Sequence, residues 1–211
     1  MRNDRRPWER KKNQSHSERR RKESFCIFTE GKTEQLYFDD FNLPTLRVKC
    51  VGLGGGNAEH LLNEMLRYMN EDKYTGYDHY WLVFDCDDNS QEELQRVAAR
   101  LKRSARERKM DIQWCFSNPC FECWYLLHFC YRDSPMTALE LKRHLLKEWI
   151  PGYHETMKGI YGLLVDKMET ACRNASRLLP LEEREAWINR LKQTNPSSNV
   201  DDLVKMLRAE M

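Results

Sequence analysis

Up to about residue 130 the apolar positions alternate between two patterns. Four short runs bounded by polar residues or glycine predict strands: Phe25–Phe28, Leu46–Leu53, Trp81–Phe84 and Ile112–Phe116. Helical spacings lie between them. Leu36, Tyr37, Phe38 and Phe41 supply the inner face of a short helix that Thr33 is placed to cap. Leu61, Leu62, Met65, Leu66 and Met69 share a face of a second helix, entered through Gly54-Gly55-Gly56 and capped near Asn57. Ser90-x-x-Glu93 has the form of a capping box and opens a third helix with Leu94, Val97, Ala98, Leu101 and Ala105 on one side. Residues 120–129, CFECWYLLHF, are apolar nearly all round. They predict a buried helix, with Asn118 as N-cap and Pro119 at its first position. From about residue 134 the pattern is helical only, with helices expected over 137–149, 166–178, 182–193 and 200–209.

Strand–helix alternation of this kind predicts an α/β fold: a mainly parallel four-stranded sheet flanked by helices, followed by an α-helical C-terminal region. The expected organisation is a basic arm over residues 1–23, an α/β domain over 24–133 and a helical region over 134–211 packed on it.

Composition adds three points. The chain is 40% hydrophobic and 32% charged, enough for a sizeable core under a charged surface. No apolar run reaches the roughly 18–20 residues that span a bilayer, and the charged N-terminus lacks a signal-peptide core, so a cytoplasmic protein is expected with no membrane partner. The eight cysteines sit mostly in apolar contexts and read as buried thiols. Cys120-x-x-Cys123 lacks the second pair a zinc site would need and is expected to pack. The net charge of +2 conceals an asymmetry: residues 1–23 hold ten Lys or Arg against four acids. That arm has the composition of a disordered segment, and reads either as a solubilising tail or as a contact for a phosphate backbone. The outer face of the third helix (Arg96, Arg100, Lys102, Arg103, Arg106 and Arg108) likewise reads either as solvated surface or as a supplement to the arm.

The candidate chemistry lies where strands end. Trp81–Phe84 runs directly into Asp85, Cys86, Asp87 and Asp88. Alone, this cluster reads as a turn as readily as a metal site. Glu30 also follows a strand, and Glu122 begins the apolar helix after the fourth strand, so five acids are expected on one sheet edge, where open α/β sheets bind ligands. Oxygen donors of this type suit Mg²⁺ or Mn²⁺, and an unligated carboxylate can serve as a general acid or base. Glu122 needs either the helix N-terminus or a metal as partner. Gly31 permits close approach of a phosphate, and Lys32 either contributes charge there or is an ordinary surface lysine. His128 is expected in the core.

Glu30-Gly31 after the first strand and Asp85-x-Asp87 after the third resemble the topoisomerase–primase (Toprim) pattern. More specifically, FTEGKTEQLYF (28–38), VFDCDDN (83–89), SNPCFECWYLLHF (117–129) and NPSSNVDDLVKML (195–207) resemble the RloB-like family, in order and over nearly the whole chain beyond the arm. The resemblance implies a Toprim-like fold and an antiphage-defence protein of bacterial or archaeal origin, often encoded beside an AAA-type ATPase. It implies a Mg²⁺-dependent nuclease acting on DNA or RNA, with Glu30 as acid/base or metal ligand and Asp85 and Asp87 as metal ligands. Asp88 and Glu122 are expected as supporting ligands, and Ser117 and Asn118, with Gly31 and Lys32, as substrate phosphate contacts. The rival readings are a non-cleaving subunit that binds nucleic acid or a partner, and a phosphotransfer domain, in which the Asp pair would normally follow the first strand. A site on a sheet edge under a helical cap is compatible with a homodimer.

Overall fold

In a computed structural model, residues 22–41, 45–86, 89–180, 188–190 and 193–210 are described. The basic arm, apart from Lys22 and Glu23, lies outside them. So do Asp87, Asp88 and most of the helix expected over 182–193, where Ile188–Arg190 form a turn.

The strands are β1 (Ser24–Thr29), β2 (Arg47–Gly52), β3 (His79–Asp85), β4 (Asp111–Asn118) and β5 (Ser197–Ser198). They form one sheet in the order β2-β1-β3-β4-β5. The first four are parallel and the β4–β5 pair is antiparallel. The sheet thus has five strands rather than the expected four. The fifth was hidden because it has no apolar run. It is a two-residue bridge in which serine hydroxyls replace apolar packing, with Ser198 Oγ 3.1 Å from both Ser117 Oγ and the Phe116 carbonyl.

Helices cover both faces, so β1 is buried at all six positions and reads as a continuous apolar run. Phe25, Ile27, Trp81, Val83 and Cys115 face one way. There they meet α1 (Lys32–Asp39), α4 (Glu122–Leu127), α7 (Met168–Leu178) and α8 (Val200–Ala209). Phe28, Tyr80, Leu82, Phe84 and Phe116 face the other way, against α2 (Ala58–Tyr68) and α3 (Gln91–Arg108). The C-terminal helices share the first of these cores, which also takes in α5 (Ala138–His144), the π-helical turn Leu145–Trp149 and α6 (Ile160–Leu164).

Local differences from expectation have local causes. Gly31, not Thr33, caps α1, and the Thr33 hydroxyl instead donates to the Glu155 carbonyl at 2.9 Å. The inner face of α1 carries Glu34, Tyr37 and Phe38, whereas Leu36 is half-exposed. β4 continues through Asn118, so Asn118 is a strand residue rather than a helix cap, and α4 begins only at Glu122. Asn57 and Ser90 cap α2 and α3 as expected, accepting from the His60 and Glu93 N–H groups. Every residue of α4 is buried. Trp124 Nε1 donates to the Tyr37 hydroxyl at 2.8 Å, and the Asn174 amide donates to the Leu127 carbonyl at 2.8 Å. His128 is a core residue whose Nδ1 lies 2.8 Å from the Trp124 carbonyl. Cys120 and Cys123 are buried in the same core. No helix among the described residues is long and apolar enough to cross a membrane.

Candidate functional site

The carboxyl ends of β1 and β3 lie side by side, because the two strands pair in parallel register from Phe25–His79 to Thr29–Val83. Glu30 extends that ladder by donating its N–H to the Val83 carbonyl at 3.0 Å. Its Oε2 accepts the Asp85 N–H at 2.9 Å, which fixes the Glu30 carboxylate against the end of β3. The Gly54–Gly56 loop closes behind it, with the Gly55 N–H donating to the Glu30 carbonyl at 2.8 Å. Gly54 and Gly55 both hold φ at 85°, a left-handed conformation that glycine adopts without strain.

Four residues further on, in the first turn of α1, Glu34 reaches back so that its Oε2 accepts the Gly31 N–H at 2.9 Å. A Cβ at Gly31 would lie 3.1 Å from that oxygen, so glycine here makes room for a carboxylate. Glu34 is 4% exposed. Burial, together with the charges of Glu30 and Glu122, pushes its carboxyl up to about 7, against the hydrogen bonds it accepts from the backbone.

Asp85 closes β3. Although the residue is half-buried, its Oδ1 is sealed from solvent and has no hydrogen-bond partner. Burial, then the charges of Glu34, Glu30 and Glu122, raise its carboxyl well above the usual carboxylate range, while Lys142 opposes the shift. Glu122 arrives from the start of α4 and is 2% exposed. Among the described residues its partners include two groups from the helical region. Glu122 Oε1 accepts the Tyr153 hydroxyl at 2.7 Å and lies 3.7 Å from Lys142 Nζ. Lys142 also forms an ion pair with Glu155.

The sequence-predicted residues therefore divide. Glu30, Asp85 and Glu122 come together at one sheet edge, and Asp87 and Asp88 lie outside the described residues. Lys32 is exposed at the start of α1, with Nζ 3.1 Å from Gln35 Oε1. Ser117 is fully buried with its hydroxyl against Ser198, and the Asn118 amide donates to the Thr194 carbonyl at 2.9 Å, so both serve the β4–β5 junction. Sequence reasoning missed Glu34, whose only signal is its position in the first turn after Glu30-Gly31. It also missed Lys142 and Tyr153, which reach the site from the helical region and carry no local signal.

Among the described residues, no group of three or more His, Cys, Asp or Glu is arranged as a ready metal-ligand set. The donor chemistry still fits a hard divalent cation. All the acids offer oxygen, burial and the neighbouring carboxylates raise the carboxyls of Glu34 and Asp85, and one buried carboxylate oxygen is orphaned.

These features define a class: an α/β protein with a mainly parallel sheet, an acidic cluster at the carboxyl edge and a helical region contributing a lysine and a tyrosine to it. The family model for RloB-like proteins matches residues 25–207, and the chain belongs to the RloB-like family. Comparison with curated proteins and with solved structures gave no match.

Proposed function

We propose that the chain is a Mg²⁺- or Mn²⁺-dependent nuclease of Toprim-like design, serving antiphage defence within the RloB-like family. The observation that carries the reading is the orphaned, buried Asp85 Oδ1 amid three further carboxylates, an arrangement that costs free energy unless a cation compensates it. Asp85 and Glu30 would hold the cation, with Asp87 and Asp88 as the ligands the family resemblance adds and Glu122 in support. What a divalent ion supplies there is stabilisation of charge on a phosphodiester. Glu34, with its carboxyl near 7, is poised to hold or release a proton at neutral pH. Lys142 keeps its charge, because its bond to Glu155 and the Glu122 carboxylate outweigh burial, and it offers the site a fixed cation. An AAA-type ATPase is the partner this reading expects.

The test is cleavage of plasmid DNA, single-stranded DNA and RNA with Mg²⁺ or Mn²⁺, by the wild-type chain and by Asp85→Asn. Cleavage that requires the metal and disappears in the variant is expected. Absence of cleavage with every substrate, including after addition of the ATPase, would overturn the nuclease reading in favour of a non-cleaving subunit that binds nucleic acid or a partner.

A further inference from the structure

Lys142 reaches the acidic edge from α5, between two carboxylates of different kind. Glu122 is buried and already accepts the Tyr153 hydroxyl at 2.7 Å. Glu155 is the other partner, and its side chain is 60% exposed. An ion pair made by an exposed acid contributes little, because water screens it and ordering two long side chains costs entropy. Of the two pairs, the one with Glu155 is therefore the exchangeable one.

Three features point to what exchanges with it. The Glu155 backbone is held, since its carbonyl accepts the Thr33 hydroxyl at 2.9 Å, so rotation of the side chain alone releases Lys142. Lys142, 31% exposed, lines an open cavity of about 440 Å³ together with Tyr153, His154, Glu155 and Thr156. That volume falls within the range of small-ligand sites. The lysine is also the wall that the cavity shares with the acidic site: its Nζ lies 3.7 Å from Glu122 Oε1, and its charge opposes the rise of the Asp85 carboxyl. A group that takes the place of Glu155 must offer anionic oxygens to an ammonium, and it arrives beside the carboxylates.

We propose that Glu155 stands in for a backbone phosphate of a nucleic acid: when the strand enters, Lys142 passes from the Glu155 carboxylate to the phosphate, and Glu155 rotates into solvent. That the phosphate belongs to a nucleic acid rests on the nuclease reading. The exchange strips no buried charge of its partners, because Glu122 keeps the Tyr153 hydroxyl and Lys142 is never without an anion. It also makes Glu155 an antagonist of binding. Its carboxylate competes for the same ammonium and repels the incoming phosphate.

The test is fluorescence anisotropy of short labelled single-stranded RNA, single-stranded DNA and duplex DNA with the full chain, at fixed ionic strength, first in EDTA and then with Ca²⁺. Lys142→Met is expected to weaken binding by about 10- to 150-fold, and Lys142→Arg to retain most of it. Glu155→Gln, an exposed change that keeps the side-chain shape, is expected to tighten binding by about 2- to 5-fold and to do nothing in the Lys142→Met background. A folded Lys142→Met chain that binds like wild type would overturn the proposal. So would a Glu155→Gln chain that binds no more tightly than wild type, an arm that stands even where Lys142→Met does not fold. Equal tightening in the Lys142→Met background, or a wild-type chain that binds none of the three probes, would overturn it as well. Inorganic phosphate displacing the oligonucleotide at the oligonucleotide's own affinity would overturn a strand as the ligand and assign the cavity to free phosphate. The expected pattern in a chain that cleaves nothing would sink the nuclease reading alone, and cleavage by a chain whose affinity neither variant changes would sink this proposal alone.

Discussion

Glu34→Gln tests most directly whether the carboxylates at this sheet edge repel one another as the geometry indicates. In the folded chain the Glu34 carboxyl is raised from 4.5 to about 7, by burial first and then by Glu30 and Glu122. A raised folded pKa means that the native state holds the proton more tightly than the unfolded chain does. The associated stability is fully present below about 4.5 and is lost as pH rises through about 7. That difference corresponds to about 3 kcal/mol. Glutamine keeps an oxygen for the Gly31 N–H and cannot ionise, so it removes the penalty with little change of shape. For a chain of this size about 3 kcal/mol corresponds to a rise in Tm of about 6–12 °C.

The assay is thermal unfolding followed by circular dichroism, in EDTA, at pH 8 and again near pH 4.5. The variant is expected to melt higher than wild type at pH 8 and close to it at the acid pH. Mg²⁺ at pH 8 is expected to raise the wild-type Tm and to narrow the gap, because a cation relieves the same repulsion. A Glu34→Gln chain no more stable than wild type at pH 8, or equally stabilised at both pH values, would refute the electrostatic account of the site.

Two further measurements probe its surroundings. The His128 pKa is lowered from 6.5 to about 4 by burial, against the hydrogen bonding at Trp124 and Tyr125, so the stability of a neutral His128 is present above 6.5 and falls as pH drops toward 4. Up to about 3 kcal/mol should be lost over that window, and a His128→Phe chain is expected to show a flatter acid limb in pH-dependent denaturant unfolding. Tyr153→Phe leaves the buried Glu122 Oε1 without its hydroxyl donor at 2.7 Å. It should cost about 1–3 kcal/mol in urea unfolding and make the acidic site bind Mn²⁺ differently from wild type by titration calorimetry.

The parts of this protein that were legible in its sequence are those whose physics is local. α8 was readable to the residue because Val200, Leu203, Val204 and Leu207 recur at helical spacing and are buried at those positions. β1 and β3 were readable because burial on both faces makes them nearly unbroken apolar runs, and Asn57 and Ser90 because a cap bonds within its own turn. The gathering of Glu30, Asp85 and Glu122 was legible for a related reason: each follows a strand or opens the helix after one, and parallel topology brings such positions to one edge.

What stayed hidden depends on distant partners. Glu122 looked misplaced in an apolar helix because the groups that receive it, Tyr153 and Lys142, are 31 and 20 residues away in sequence. β5 was hidden because a two-residue bridge of hydroxyls has no period to detect. The same short bridge has a further effect. A longer fifth strand would have paired more of β4 than Ser117 and Asn118. Among the described residues the Asn199 side chain bonds the edge upstream of the bridge, and a cavity lies there beside α3.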